Sequence, residues 1–405
     1  MTGRKPGPVL ILGLNYAPEA IGIGPYTAGL AERFAAAGHR VQVICGRPYY
    51  PQWRTHKGYR GWWNVKREND VEVVRCPHYV PRRPSGLRRI LHHASFALAS
   101  LVPMLRAAIE RPAVVIAVVP SLLAAPLAWF AARLSGAELW LHVQDFEVDA
   151  AVATGLVRRE SPIAKFALAT ERSLLRRAEL VTAISPQMCH RLAGKGVMQD
   201  RIAELRNWAN HLDTIAAASG EVLRGAWGLE GRFVALYSGN IANKQGLEIV
   251  VEAARILAGD ARFAFVVCGE GPNRAQLEAL AAGLANVSFH GLQPDERFAQ
   301  MMRMADCHLL PQLGDAADLV LPSKLANMLA SARPVIATAA PGTGIAREIE
   351  GCGLAVPPGD ATALAQAVLT LADDAPLSAR QPAASRKTIG PNKQCSSRRI
   401  TCSSV

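Results

Sequence analysis

Two lysines in the second half of this 405-residue chain stand where glycine turns or helix starts could receive a diphosphate. Lys244 lies in Tyr237-Ser238-Gly239-Asn240-Ile241-Ala242-Asn243-Lys244-Gln245-Gly246, read as a strand, a glycine turn and a helix start. Small backbone groups beside one cation suit phosphate oxygens. Lys324 lies in Leu321-Pro322-Ser323-Lys324-Leu325, where Ser323 is placed to cap the helix running through Asn327 to Ala332. A lysine in the first turn opposes the helix dipole, so local stability does not account for it, whereas a bound pyrophosphate would. Cys268-Gly269-Glu270-Gly271-Pro272 repeats the strand, glycine and helix order. A nucleobase could lie on that exposed backbone, or the glycines could serve the turn alone.

The first half offers two comparable places. Asn15-Tyr16-Ala17-Pro18-Glu19-Ala20-Ile21-Gly22-Ile23-Gly24 leaves a strand and enters a helix whose unbonded N–H groups suit a phosphate or a sugar hydroxyl, although a glycine pair is also plain turn chemistry. The strand ELWLHVQD ends in His142, Gln144 and Asp145, with Glu147 and Asp149 beyond it. A carboxylate there could act as a base or stabilise positive charge developing on a sugar ring. The alternatives are that Asp145 caps the next helix and His142 is a hydrogen-bonded core histidine.

These turns need strands to carry them. VLILGLN, VQVIC, VEVVRC, AVVIAVV, ELWLHVQD and ELVTAIS in the first half alternate with helical segments, as do FVALYSG, FAFVVCG, VSFHG, CHLLPQ, PVIATA and LAVPP in the second. Fully apolar strands alternating with helices make parallel sheets covered on both faces, so two doubly wound α/β domains are expected, with ligands beyond the carboxyl ends of the strands. The division falls into residues 1–207, a connection over 208–231, residues 232–377, and a basic tail over 378–405 with six Lys and Arg, no acid and no periodicity. That tail reads as unpacked or as an altered end. Pro112 to Ala132 has no charge, but its β-branched run stops at Pro120 and a helical pattern follows, which favours a buried strand and a packed helix over a membrane span.

The net charge of +12 comes from the first half, where residues 1–210 hold 28 Lys and Arg against 15 Asp and Glu. An anionic partner is implied there: nucleic acid, acidic lipid or a phosphorylated substrate. Nucleic acid fits poorly, because neither aromatic interleaving nor a recognition-helix cluster is present. The eight cysteines form no C-x-x-C pair or zinc spacing, and no export signal is read at the N-terminus, so a reducing compartment is expected.

Together, NYAPEAIGIGPYT, AAAGHRVQVIC, RPYYPQW, VVRCPHYVPRRPSGLRRILHHASFALAS, LHVQDFEVDA, RNWAN, YSGN, KQGLE, VVCGEGP and LVLPSKLANMLAS resemble the retaining GT-B glycosyltransferases of family 4, colanic acid fucosyltransferase type. The likeness runs from about Val9 to Leu371. It implies two Rossmann-like domains facing a central cleft, the second holding a nucleotide sugar and the first an acceptor. It further implies transfer with retained anomeric configuration and without metal or other cofactor. The donor would be GDP-fucose, or in the alternative GDP-mannose or a UDP-sugar. The acceptor would be a saccharide on a polyprenyl diphosphate at the cytoplasmic membrane face, for exopolysaccharide. Arg82, Arg83, Arg88 and Arg89 beside Ile90 to Leu101 would then meet the membrane, unless this is an ordinary core helix with a solvated rim.

By motif, the resemblance assigns Gly22 and Gly24 to the first-domain side, and Gly239, Asn240 and Lys244 to the diphosphate. Gly269, Glu270 and Gly271 fall to the base, and Pro322, Ser323 and Lys324 complete the phosphate site. Asp145, then His142, are the candidate catalytic groups. The pattern departs from the family in places. Leu319 and Asn327 stand where two glutamates eight apart are common, with Asp318 a substitute for the first and Asn327 still able to bind a ribose. Lys244-Gln245-Gly246 replaces Lys-Gly, Ala332 replaces a glycine, and the final helix that returns to the first domain has no counterpart after Ser378, which leaves an inactive membrane-associated scaffold as an alternative.

Overall fold

The apolar runs form two sheets, in a computed structural model that describes residues 7–19, 22–82, 86–119, 123–146, 161–208, 212–242, 245–313 and 322–374. The chain divides between Arg206 and Asn207 into two units.

In the first unit the strands are β1 (Val9–Gly13), β2 (Val41–Gly46), β3 (Asn64–Glu68), β4 (Val71–Cys76), β5 (Val114–Val119), β6 (Glu138–Val143), β7 (Leu180–Ala183) and β8 (Ile202–Glu204). Their order is β3-β4-β2-β1-β5-β6-β7-β8, parallel except for the antiparallel pairing of β3 with β4. The helices are α1 (Gly24–Ala36), α2 (Gly86–Ile109), α3 (Ala125–Ser135), α4 (Pro162–Arg177) and α5 (Pro186–Gly194). All of β1 and β5 is buried, as strands covered on both faces must be. The uncharged run from Pro112 accordingly becomes β5 and α3.

The second unit holds β9 (Phe233–Ser238), β10 (Phe263–Cys268), β11 (Val287–His290), β12 (Cys307–Leu310), β13 (Val335–Thr338) and β14 (Gly353–Val356), in the order β11-β10-β9-β12-β13-β14. Its helices are α6 (Leu212–Ala217), α7 (Glu221–Ala226), α8 (Glu248–Ile256), α9 (Arg274–Leu280), α10 (Asp295–Met304), α11 (Ser323–Ala330), α12 (Gly344–Glu348) and α13 (Ala361–Asp373). Because successive strand residues face opposite ways, Val234 and Leu236 enter one core with α10 and α11. Ala235 and Tyr237 enter another with α8 and α13.

Residues 208–231, expected as a connection, are corrected in part. Within them α6 and α7 bury Ile215, Leu223 and Leu229 in the core that contains Met301 and Met304. Gly220 lies so close that a Cβ on it would stand 2.4 Å from Met304 Cα. Two six-residue helices are too short to display the periodicity that reveals longer ones. The tail, 378–405, lies outside the described residues.

In each sheet the strand order reverses beside the first strand, between β1 and β5 and between β9 and β12. Ligands of doubly wound proteins bind beyond the carboxyl ends of the strands at such a crossover. The turns leaving β1 and β9 are therefore where the fold itself directs the search.

Candidate active site

In the second unit, segments distant in sequence meet beyond β9. The ammonium of Lys324 lies over the Tyr237 ring, 4.3 Å from its centroid. A Cβ placed on Gly239 would stand 3.7 Å from Lys324 Nζ. The glycine turn and the lysine of α11 thus share one small region. The loops after β9 and β12 also touch, since a Cβ on Gly246 would be 2.8 Å from Leu313 Cδ2. The Gln312 amide donates to Thr338 Oγ1 at 2.7 Å and the Thr338 hydroxyl donates back to Gln312 O at 2.9 Å, pinning the second loop.

Gly269 and Gly271 have a definite packing role. A Cβ on Gly269 would stand 1.9 Å from Gly239 O, and one on Gly271 would stand 2.1 Å from Ile241 O. Gly239 N–H donates to Cys268 O and Ile241 N–H to Glu270 O, each at 2.9 Å, so the two turns form one shelf. Glu270 pairs with Arg274 at 2.7 Å. Asn240 is exposed, and its carbonyl accepts from the buried Tyr237 hydroxyl at 2.6 Å. Lys244 lies outside the described residues, as do Asp318 and Leu319.

Ser323 is not the cap that the sequence suggested. Pro322 holds the N-cap position with extended angles (φ −62°, ψ 126°) and Ser323 is the first helical residue. The helix thus starts one residue earlier than a cap at Ser323 requires. Lys324 remains in the first turn, and Asn327 follows it by one turn on the same side. Asn327 Oδ1, Gln245 Oε1 and Gln312 Oε1 are buried acceptors with no hydrogen-bond partner among the described residues. Buried acceptors are costly when unpaired. Gln312 had no role in the sequence reading; its one signal was a polar residue shortly after an apolar strand.

In the first unit, Gly22 (φ +81°) places its Cα against Tyr50, where a Cβ would be 3.1 Å from the ring. Gly24 begins α1, and a Cβ there would be 3.0 Å from Glu19 Cβ. The left-handed backbone at Gly22 favours glycine, and Gly24 is packed tightly on its neighbours. At the centre is Glu19, 3% exposed, which the sequence assigned no function. Its carboxylate accepts from the Tyr49 and Tyr50 amides at 2.9 and 3.0 Å and from Asn15 Nδ2 at 2.9 Å. Burial raises its pKa against those three hydrogen bonds. An acid within a glycine-rich turn of apolar residues was the available signal.

His142 proves to be a packed histidine. The Gln144 amide donates to its Nε2 at 2.8 Å, so the proton resides on Nδ1, which donates to Thr182 Oγ1 at 2.9 Å. Burial lowers its pKa to about 4. With both ring nitrogens engaged it orients Gln144 and offers no lone pair to a substrate. Asp145 follows β6 by two residues and is half-buried, while Glu147 and Asp149 lie outside the described residues. No group of three His, Cys, Asp or Glu side chains able to hold a metal ion occurs among the described residues.

Comparison with known families matches residues 22–208 to the glycosyl transferase 4-like domain and residues 232–374 to glycosyl transferases group 1. A protein of Escherichia coli (strain K12) named as a colanic acid biosynthesis glycosyl transferase, WcaI, is 41% identical over 82% of this chain and 83% of its own length. The chain belongs to the glycosyltransferases. Among solved structures, sucrose-phosphate synthase from Thermosynechococcus elongatus superposes with a TM-score of 0.71 at 18% identity, covering 96% of each chain. HepE of Anabaena, in complex with UDP-glucose, gives 0.66 at 16% identity over 96% of this chain and 98% of its own. The fold of this glycosyltransferase is GT-B, two Rossmann-like domains, and the turns after β1 and β9 are the corresponding strand ends in its two halves.

Proposed function

We propose that this glycosyltransferase transfers fucose from GDP-fucose, with retention and without metal, to a lipid-linked saccharide in the synthesis of a colanic-acid-like exopolysaccharide. The observation that carries the donor side is the meeting of Lys324 with the Gly239 turn. A cation in the first turn of α11 beside small backbone groups can neutralise the diphosphate as it leaves the sugar, the moment at which its charge grows. Asp145, at the end of β6, is the carboxylate assigned to the sugar. The choice of fucose, and of the exopolysaccharide, is supported by the sequence resemblance and by the name of the WcaI relative.

The lipid-linked acceptor is supported by the surface of α2. This 24-residue helix is long and apolar enough to cross a membrane, yet only 28% of its apolar window is buried. His92, Phe96, Ser100, Pro103, Met104 and Ala107 form its packed stripe. At about 100° per residue, Leu87, Ile90, Leu91, Leu98, Leu101, Val102 and Ile109 fall within a stripe of roughly 120° on the opposite side. All seven are exposed, and Trp62, 77% exposed, lies in the segment whose Trp63 Nε1 donates to Ala99 O of the helix. Arg88 and Arg106 flank the stripe and are exposed. An apolar stripe edged by arginine suits a helix lying in the surface of an anionic membrane, at the cytoplasmic face.

The deciding experiment is a thermal-shift titration with GDP, UDP and ADP. A ligand at a hundred times its dissociation constant adds about 2.7 kcal/mol. Selective stabilisation by GDP, followed by transfer from GDP-fucose in the presence of chelator, is expected. A UDP preference replaces the donor, and no shift with any nucleotide overturns the reading.

A further inference from the structure

Three motifs of the first half, PYYPQW, CPHYV and ILHHAS, have no part in the donor chemistry, and the structure brings them together. Tyr49 and Trp53 follow β2, His78 follows β4, and His92 lies near the start of α2. The ring of Tyr49 is 4.6 Å from that of His92 and 5.4 Å from that of His78, and the two imidazoles are 4.9 Å apart. Trp53 stands 5.4 Å from Tyr49 and 5.5 Å from His92. The cluster thus sits at the carboxyl edge of the first sheet, beside the turn that Glu19 ties to Tyr49 and Tyr50.

The imidazoles have a defined polarity. His92 Nδ1 lies 2.5 Å from Tyr79 O and His78 Nδ1 lies 3.4 Å from Cys76 O. A carbonyl only accepts, so each Nδ1 carries the proton and each Nε2 presents a lone pair. Both Nε2 atoms are buried without a partner among the described residues, and His92 is 0% exposed. Two adjacent orphan acceptors ask for donors. Beside His92 lies Trp53, half-buried, with a left-handed backbone (φ +51°) that is uncommon for a bulky residue. Displacement of that half-buried indole is what a sugar needs to reach His92, which is 0% exposed.

Hydroxyl donors combined with an apolar ring face describe a sugar. We propose that Tyr49, Trp53, His78 and His92 form a saccharide subsite, in which sugar hydroxyls donate to the two Nε2 atoms and a ring face lies on Trp53. That this sugar belongs to the acceptor rests on the function proposed above; the binding itself does not.

The test uses the full chain with ¹⁵N-labelled histidine, observed by NMR. His78→Gln and His92→Gln identify the two signals, each of which should report the Nδ1–H tautomer. Methyl glycosides of glucose, galactose and fucose are the probes, with glycerol as a polyol lacking a ring face. A saturable displacement of both Nε2 signals by a glycoside, and none by glycerol, is expected. Trp53→Ala should weaken that binding about tenfold, equivalent to losing about one good contact, and should leave the thermal shift with nucleotide unchanged. Nε2 signals that no glycoside moves, or that glycerol moves equally, overturn the subsite and leave only bound water as the partner. A missing nucleotide shift alongside displaced histidine signals would instead remove the proposed donor chemistry and keep the sugar site.

Discussion

Lys324 acquires its setting from Tyr237 and Gly239, residues far from it in the chain. Its position in a first helical turn was legible in the sequence, because a cation there works against the helix dipole. Its meeting with the Gly239 turn was expected only from the family resemblance, since residue spacing does not show that β12 and β9 are neighbours. Lys324→Ala should weaken GDP binding by about tenfold or more, the scale of a charge-assisted hydrogen bond. Unchanged affinity in calorimetry would make the Pro322 to Lys324 turn structural. Asp145→Asn should lower kcat while donor affinity stays nearly constant, and equal turnover would remove Asp145 from the chemistry. His142 illustrates what residue type alone cannot decide. A histidine at a strand end reads identically whether it serves a substrate or, as here, binds Thr182 and Gln144.

At the scale of elements, most strands visible in the sequence were largely buried, such as β5 and β10, while β11 was read from its sequence without a fully buried residue. The two missed, β3 and β8, have no fully buried residue to announce them. Glycine positions were also legible, but not their purpose: Gly269 and Gly271 are needed first by the backbone of the neighbouring turn. For α2, the sequence suggested a lipid-facing edge over Ile90 to Leu101, and the structure divides those residues by face. His92, Phe96 and Ser100 are packed inward while Ile90, Leu91, Leu98 and Leu101 are exposed. Replacing Leu98 and Leu101 by glutamate should therefore leave the melting temperature nearly unchanged. It should also release the protein from vesicles containing anionic lipid, measured by co-sedimentation. Wild-type protein that fails to sediment with such vesicles would dispose of the membrane-facing role.

At the scale of the molecule, both units carry histidines held neutral by burial. His142 is lowered to about 4 in the first unit and His308 to about 3 in the second. The unfolded chain takes up these protons near pH 6.5, whereas the folded chain does so only two or more units lower. Stability from these sites is thus complete above about pH 6.5 and falls with pH below it, by about 1.4 kcal/mol per unit for each histidine. Melting temperatures that decline from about pH 7 to 5, and decline less in His308→Gln, would confirm the linkage; a flat profile would contradict it. The doubly wound character of both halves was legible because short, mainly apolar runs alternate with helical segments, and β1, β5 and β10 are apolar throughout. The reversal of strand order beside β1 and β9 was not, because crossovers leave no mark in composition. The margins of the first sheet carry a further consequence. One margin is β3, whose Lys66 and Arg67 are exposed, and the other is the three-residue β8. Neither offers a long uncharged rim on which a foreign strand could pair. Association of the first unit should accordingly proceed through the greasy flank of α2, and lipid or mild detergent, rather than strand-breaking substitutions in β3 or β8, should be what prevents it.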